Sequence, residues 1–318
     1  MHPASPIPIY IKDDRKIRLF LSADLVGSTA FKEKHSSDST QWTAFFDGFF
    51  RDFNTSFSSE LDQVVKTRFE PSQRPQPWKL LGDELLLTAT IEKPEDAVPL
   101  MLAFCRTIYE CDANLQNLDK PRVKGTAWIA GFPVRNHEVR GLEIAGHPMP
   151  TDFIGPDMDI GFRLSAASRA GRVVVSLDLA DVLTGSDDLW SGFDIRDVGW
   201  QNLKGVFGGH PYPIFWICER GRTKPHEAPW QEHECPLTFR ANHEEIPKRE
   251  VMQSLCDEVR AALRDLKLFK PYFREEDMPP AHREWWLQQD RLAQQAGINE
   301  NLDVDDPFGD PEKTEQQN

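Results

Sequence analysis

The chain contains no apolar run near the ~18 residues that a membrane-spanning helix needs, and its mean hydropathy of -0.52 agrees. No membrane association is expected. Cysteine is scarce and odd in number, five in 318 residues, and no two form a CxxC pair. That usage points to reduced thiols in a cytoplasm. His226, His233, Cys235 and His243 match no familiar zinc spacing. The opening residues, Met1 to Pro8, lack a basic stretch leading into an apolar one, so no secretory signal is read. Positive charge is also short: 37 Lys and Arg stand against 51 Asp and Glu, a net charge of -14. Nucleic acid is therefore disfavoured as a partner, because phosphate backbones select basic surfaces. A small phosphorylated substrate is not, since a local basic site can sit in an acidic protein. Walker motif, dinucleotide fingerprint and fixed-period repeat are all missing.

What is present is a mixture of short apolar runs and amphipathic stretches. Residues 1–14 read as a Pro-rich arm, and residues 299–318 as a disordered tail with seven carboxylates against Lys313. Between them, Lys16–Ser22 predicts a buried strand that ends in a turn at Gly27. Thr40 to Phe57 places Trp42, Phe45, Phe46, Phe49, Phe50, Phe53 and Phe57 at spacings of three and four, an amphipathic helix. Trp78–Thr90 reads as strand, turn, strand with Gly82 and Asp83 at the turn. A helix follows from Pro94 to Leu115, then a strand over 123–132, a helix over 157–170, a strand over 172–176 and a short helix over 177–183. Two last strands are expected at 193–203 and 212–218. This order predicts an α+β fold, helices covering a mixed sheet, over residues 15–220. Residues 221–298 read as a Pro-rich linker and helical extension, with helices at Lys248–Leu268 and His282–Gln295; Trp285 and Trp286 of the second are expected to dock on the first domain.

Two aspartates stand out, Asp24 after Leu19-Phe-Leu-Ser-Ala and Asp83 after Trp78-Lys-Leu-Leu-Gly. Each follows a short apolar strand, and a strand fixes where its last side chain points. Magnesium is commonly held by one or two carboxylates plus phosphate oxygens, so a pair of this kind can seat a divalent ion.

Several stretches together resemble the class III nucleotidyl cyclase catalytic domain. They are Phe20-Leu-Ser-Ala-Asp-Leu-Val-Gly-Ser-Thr29, Lys79-Leu-Leu-Gly-Asp83, Asp152-Phe-Ile-Gly155, Asp159-Ile-Gly-Phe-Arg163, Arg172-Val-Val-Val-Ser176 and Leu203-Lys-Gly205. They occur in the family's order over about residues 15–220. The resemblance implies that Asp24 and Asp83 hold two Mg²⁺ or Mn²⁺ ions per site. It implies that Lys79 and Asp152 contact the base, that Arg163 steadies the transition state and that Lys204 binds the triphosphate. The backbone of Leu25, Val26, Gly27, Ser28 and Thr29 would lie along the phosphates. Cyclases usually carry asparagine where this chain has Asp159, and a carboxylate there would repel a triphosphate unless it is turned away or paired. The resemblance also implies a homodimer with two equivalent sites at its interface, each taking metals from one protomer and Arg163 from the other.

Hydrogen-bond polarity leaves the base open. Lys79 donates and Asp152 accepts, which suits adenine, cytosine and uracil and suits guanine least. The whole pattern, with its single catalytic domain, aromatic first helix and helical extension, resembles the pyrimidine cyclases of bacterial Pycsar antiphage defence. That implies cyclic UMP or cyclic CMP as product, UTP being favoured as substrate, and a separate effector protein activated by it. Phe46, Phe49 and Phe50 are candidates for narrowing the base pocket. The alternatives are a cytidylate cyclase, an adenylate cyclase, and an inactive cyclase-like sensing module.

Overall fold

In the computed structural model the described residues are 15–295, apart from 38, 117, 119, 142, 145, 146, 223–229, 267 and 269. The expected arm at 1–14, the acidic tail at 299–318 and residues 223–229 of the Pro-rich linker lie outside the described residues. The chain begins with β1 (Lys16–Val26), α1 (Ser28–Lys34) and α2 (Ser39–Val65), then the hairpin β2 (Gln76–Leu81) and β3 (Glu84–Ile91). Next come α3 (Ala97–Leu115), β4 (Arg122–Phe132) and four short strands, β5 (His137–Val139), β6 (Glu143–Ile144), β7 (His147–Pro148) and β8 (Asp152–Ile154). α4 (Pro156–Leu164), β9 (Val173–Val175), α5 (Leu177–Leu183), α6 (Asp187–Trp190), β10 (Phe193–Asn202) and β11 (Pro211–Glu219) follow. The chain continues with α7 (Gln231–Glu234), α8 (Pro236–His243), α9 (Arg249–Ala262) and α10 (Pro280–Gln295).

The main sheet has seven strands in the order β10-β11-β9-β4-β1-β3-β2. β4 and β9 run parallel, while the other neighbours are antiparallel. This is the mixed sheet expected of an α+β fold. Period-two alternation sorts its side chains. On β1, Leu19, Leu21, Ala23 and Leu25 enter the main core, where Phe53, Phe57 and Leu61 of α2 and Leu100 and Phe104 of α3 are also buried. Phe20 faces the other way into a smaller, aromatic core with Leu86, Trp128, Phe132, Phe153 and Met158.

β1 is longer than Lys16–Ser22. It is paired on both edges, with β4 as far as Val26 and with β3 as far as Asp24, so Asp24 lies within the strand and not after it. α2 runs two turns past Phe57 because Leu61 and Val64 continue its buried stripe. The helix expected over 157–170 is regular only to Leu164 and tightens into a 3₁₀ turn at Ser165–Ala167.

Residues 14–278 form one compact unit. Leu237 and Ala241 of α8 and Met252, Cys256 and Val259 of α9 are buried in the main core, so the first part of the helical extension shares that core. α9 ends at Ala262 and is followed by a 3₁₀ turn at Arg264–Leu266, short of the expected Leu268. The helix expected from His282 belongs to a second unit, where α10 carries Trp285 and Trp286.

Candidate active site

The site is organised by the face of the sheet opposite the main core. Phe20, Ser22 and Asp24 follow one another on that face of β1. In register, Asp24 sits between Glu84 of β3 and Lys124 of β4. Lys124 Nζ lies 3.1 Å from Asp24 Oδ2, which also accepts a hydrogen bond from Ser165 Oγ at 3.3 Å. Ser165 stands just beyond α4, so the end of that helix is tied to the strand.

Asp83 occupies the β2–β3 turn, and Ser28 Oγ donates to its Oδ2. Gly27, at φ 83°, starts α1 in the left-handed conformation that glycine tolerates best. Val26, Gly27 and Thr29 are exposed, whereas Leu25 and Ser28 are buried. The Ser28–Asp83 contact therefore clips the segment after β1 to the hairpin turn.

Glu84 is a third carboxylate that the motifs did not single out. Ser22 Oγ donates to its Oε1. Burial raises its pKa first of all; the Ser22 hydrogen bond opposes that, and the nearby Asp24 charge adds to it. Cross-strand register, which no local motif signals, sets both Glu84 and Lys124 beside Asp24.

Two carboxylates with these surroundings fit a hard divalent ion. Oδ1 of Asp24 and Oδ1 of Asp83 have no hydrogen-bond partner among the described residues, which leaves each able to ligate oxygen-seeking Mg²⁺ or Mn²⁺. Among the described residues no group of three or more His, Cys, Asp or Glu gathers as a metal cage.

A second group of residues sits on the aromatic core. Lys79 Nζ is 2.7 Å from Asp152 Oδ1. The ammonium also lies 4.0 Å from the centre of the Trp78 ring and 5.9 Å from that of Phe162. Trp78 Nε1 donates to the Thr151 carbonyl at 3.0 Å, while its ring packs edge-on against Phe20 and Phe153. β2, β8 and α4 are thus pinned together beneath one lysine–aspartate pair. α4 can come this close because residue 161 is glycine: a Cβ there would meet the Trp128 ring at 2.3 Å.

Near the end of α4, Arg163 donates from Nε to the Lys204 carbonyl and from Nη1 to the Asp159 carbonyl at 3.1 Å. Its guanidinium also pairs with the Asp159 carboxylate at 3.6 Å. The departure at Asp159 is therefore matched by a cation of the same helix. Lys204 is exposed in the turn after β10.

The structure thus brings together Lys79 with Asp152, and Arg163 with Lys204. Asp24 and Asp83 stand at neighbouring ends of β1 and the β2–β3 turn. Among the described residues no hydrogen bond or ion pair joins either aspartate to Lys79, Asp152, Arg163 or Lys204. Phe46 and Phe49 are buried in the main core, and Phe50 packs half-buried against it; core packing is sufficient reason for all three.

No family model and no curated protein matches the chain. Solved structures similar to it include the adenylyl cyclase CyaB of P. aeruginosa, at 17% identity and a TM-score of 0.46, covering 66% of this chain and 97% of that one. The guanylyl cyclase Cya2 is 14% identical with a TM-score of 0.43, covering 68% and 98%. The guanylate cyclase domain of RhGC from Catenaria anguillulae, solved in complex with GTP, is 12% identical with a TM-score of 0.42, covering 65% and 100%.

Proposed function

We propose that the protein is a nucleotidyl cyclase that converts UTP to 3′,5′-cyclic UMP and pyrophosphate. The observation that carries the cyclase reading is the Lys79–Asp152 pair, 2.7 Å apart, with Lys79 on β2 of the sheet whose β1 holds Asp24 and whose β2–β3 turn holds Asp83, and Asp152 on β8 of a separate two-stranded sheet. It supplies one donor and one acceptor side by side, the pattern a base edge needs. In the reaction the ribose 3′-oxygen attacks the α-phosphorus and the bond to the β-phosphate breaks. Two divalent ions at Asp24 and Asp83 would neutralise phosphate charge and acidify the 3′-hydroxyl. Arg163 and Lys204 supply fixed positive charge for the phosphoryl oxygens and the departing pyrophosphate, and a guanidinium keeps its proton throughout. Ser28 holds Asp83 and positions the 25–29 segment where phosphates would pass.

The working form in this reading is a homodimer, with metals from one protomer and Arg163 from the other. Exposed Leu80 and Leu81 on the edge strand β2 and exposed Ile154 on β8 support it, since an apolar sheet edge left in water invites pairing. The product would act as a second messenger on a separate effector in antiphage defence.

A second reading, adenylate cyclase, is favoured by the same pair, because adenine N1 accepts from Lys79 and its N6 amine donates to Asp152. Incubation of the purified full chain with Mn²⁺ or Mg²⁺ and each of ATP, GTP, CTP and UTP, with mass-spectrometric identification of products, separates these. Cyclic UMP supports the first reading. Cyclic AMP alone sinks it and supports the second. An intact dimer that binds nucleotide without turning it over supports the sensing module.

A further inference from the structure

At the end of the sheet away from Asp83, a cavity of about 70 Å³ opens between β9, β10, β11, α3 and α8. Three guanidiniums line it, Arg172, Arg196 and Arg222, against one carboxylate, Asp194. In a chain of net charge -14 this is a local reversal of sign.

Two of the guanidiniums stand over aromatic walls. Arg172 lies 4.8 Å from the centre of the Trp216 ring and Arg222 lies 4.6 Å from that of Tyr109. A guanidinium over an aromatic face is held there by cation–π attraction. Arg222 is already offset by Glu219 and Glu110, and the lining carboxylate Asp194 pairs with Arg220 at 3.4 Å, so the charge offered to a ligand comes chiefly from Arg172 and Arg196. Arg196 has a different partner, the Glu244 carbonyl, to which its Nη1 donates at 2.6 Å. Among the described residues it makes no ion pair. Its positive charge is therefore not offset by an ion pair among the described residues.

The three charges converge on one reporter. The Cys218 thiol is pushed up by burial and by Asp194, while Arg196, Arg172 and Arg222 all act on it in the opposite direction.

We propose that this cavity is a second, anion-binding site that takes a phosphoryl group, either as free phosphate or as the head of a small phosphomonoester. The volume holds a few water-sized groups, enough for one tetrahedral oxyanion, and guanidinium forks match its oxygens two at a time. The site is independent of the cyclase reading, since β10, β11 and α3 carry none of the residues assigned to the reaction.

The test is calorimetric titration of the full chain with inorganic phosphate and, separately, ribose 5-phosphate, at constant ionic strength set with chloride. Saturable binding that weakens about tenfold or more in Arg196→Gln, the loss of a charge-assisted pair, and is unchanged in Lys204→Ala supports the site. Binding of phosphate alone assigns the free ion, and tighter binding of ribose 5-phosphate assigns the monoester. Binding lost in Lys204→Ala but kept in Arg196→Gln overturns the proposal, as does no binding at all. A second measurement needs no variant: alkylation of Cys218 at pH 8.5 should slow at least threefold when phosphate is added to the unmodified protein. An unchanged rate overturns the proposal even where Arg196→Gln fails to fold.

Discussion

Asp24 and Lys124 face each other directly across β1 and β4, with Nζ 3.1 Å from Oδ2. The ammonium neutralises one oxygen of the carboxylate and leaves the other for a ligand. Replacing Asp24 by Asn keeps the shape and removes the charge. Asp24→Asn should retain the melting behaviour of the parent but lose about 100-fold or more of any cyclase turnover, the scale of charge stabilisation by a bound metal. Calorimetry of Mn²⁺ binding should show the same loss. Full activity in this variant would remove the metal assignment.

Lys79 and Asp152 form the one donor–acceptor pair at the proposed base end. An amide can present either its N–H or its carbonyl, so Asp152→Asn should relax discrimination against guanine, whose O6 accepts. In a mixture of all four nucleoside triphosphates, the ratio of pyrimidine to guanine product should fall about tenfold or more, as expected when a hydrogen bond of wrong polarity is removed. An unchanged product ratio places base reading elsewhere.

Much of this arrangement was legible in the chain. The strand–turn–strand at Gly82-Asp83 and the short helix Leu177–Leu183 agree with the structure because local apolar pattern and turn chemistry act together there. The length of β1 was not legible, since Asp24 and Gly27 read as strand terminators until pairing with β4 carries the ladder to Val26. α8 was missed for a similar reason: only Leu237, Thr238 and Ala241 are buried in its eight residues, too little periodicity to see. Glu84, Lys124 and Ser165 entered the site through register and tertiary contact, which motif spacing does not encode.

Gly161 on α4 allows the helix to lie on Trp128, a fully buried ring. A methyl group there has no room, because the ring is held against Phe20 at 5.3 Å. Gly161→Ala should cost about 1–3 kcal/mol by overpacking, even though alanine favours the helix itself. A thermal melt measures it directly. A melting temperature equal to or above the parent's would show that α4 is free to move off the ring.

Arg260 of α9 is buried and pairs with Asp178 and Asp181 of α5, with Gln253 also bonded to Asp181. Removing the guanidinium leaves two carboxylates in a poorly hydrated place, so Arg260→Met should destabilise by about 3–5 kcal/mol. The triple variant with Asp178→Asn and Asp181→Asn should recover most of that loss, because the penalty comes from uncompensated charge. Denaturant melts of both proteins decide the matter. Equal stability of the two would mean that α9 is held by its apolar face alone.

The five thiols should differ sharply in reactivity. Burial pushes Cys105 well up and takes Cys111 and Cys256 to about 12, so these are neutral at any ordinary pH. At Cys235 burial acts the same way but is outweighed by hydrogen bonds from the Thr238 backbone and hydroxyl and by the Arg169 charge, so its pKa falls below the usual value. A lowered pKa means a larger thiolate fraction as pH rises from 7 to 8, and the thiolate is the nucleophile. Iodoacetamide at pH 8 should therefore label Cys235 first, with Cys105 and Cys256 last, when peptides are followed by mass spectrometry. Arg169→Gln should slow Cys235 and leave the others unchanged. If Cys256 were labelled as fast as Cys235 in native protein, α9 would have to leave the core far more often than its buried ion pairs allow.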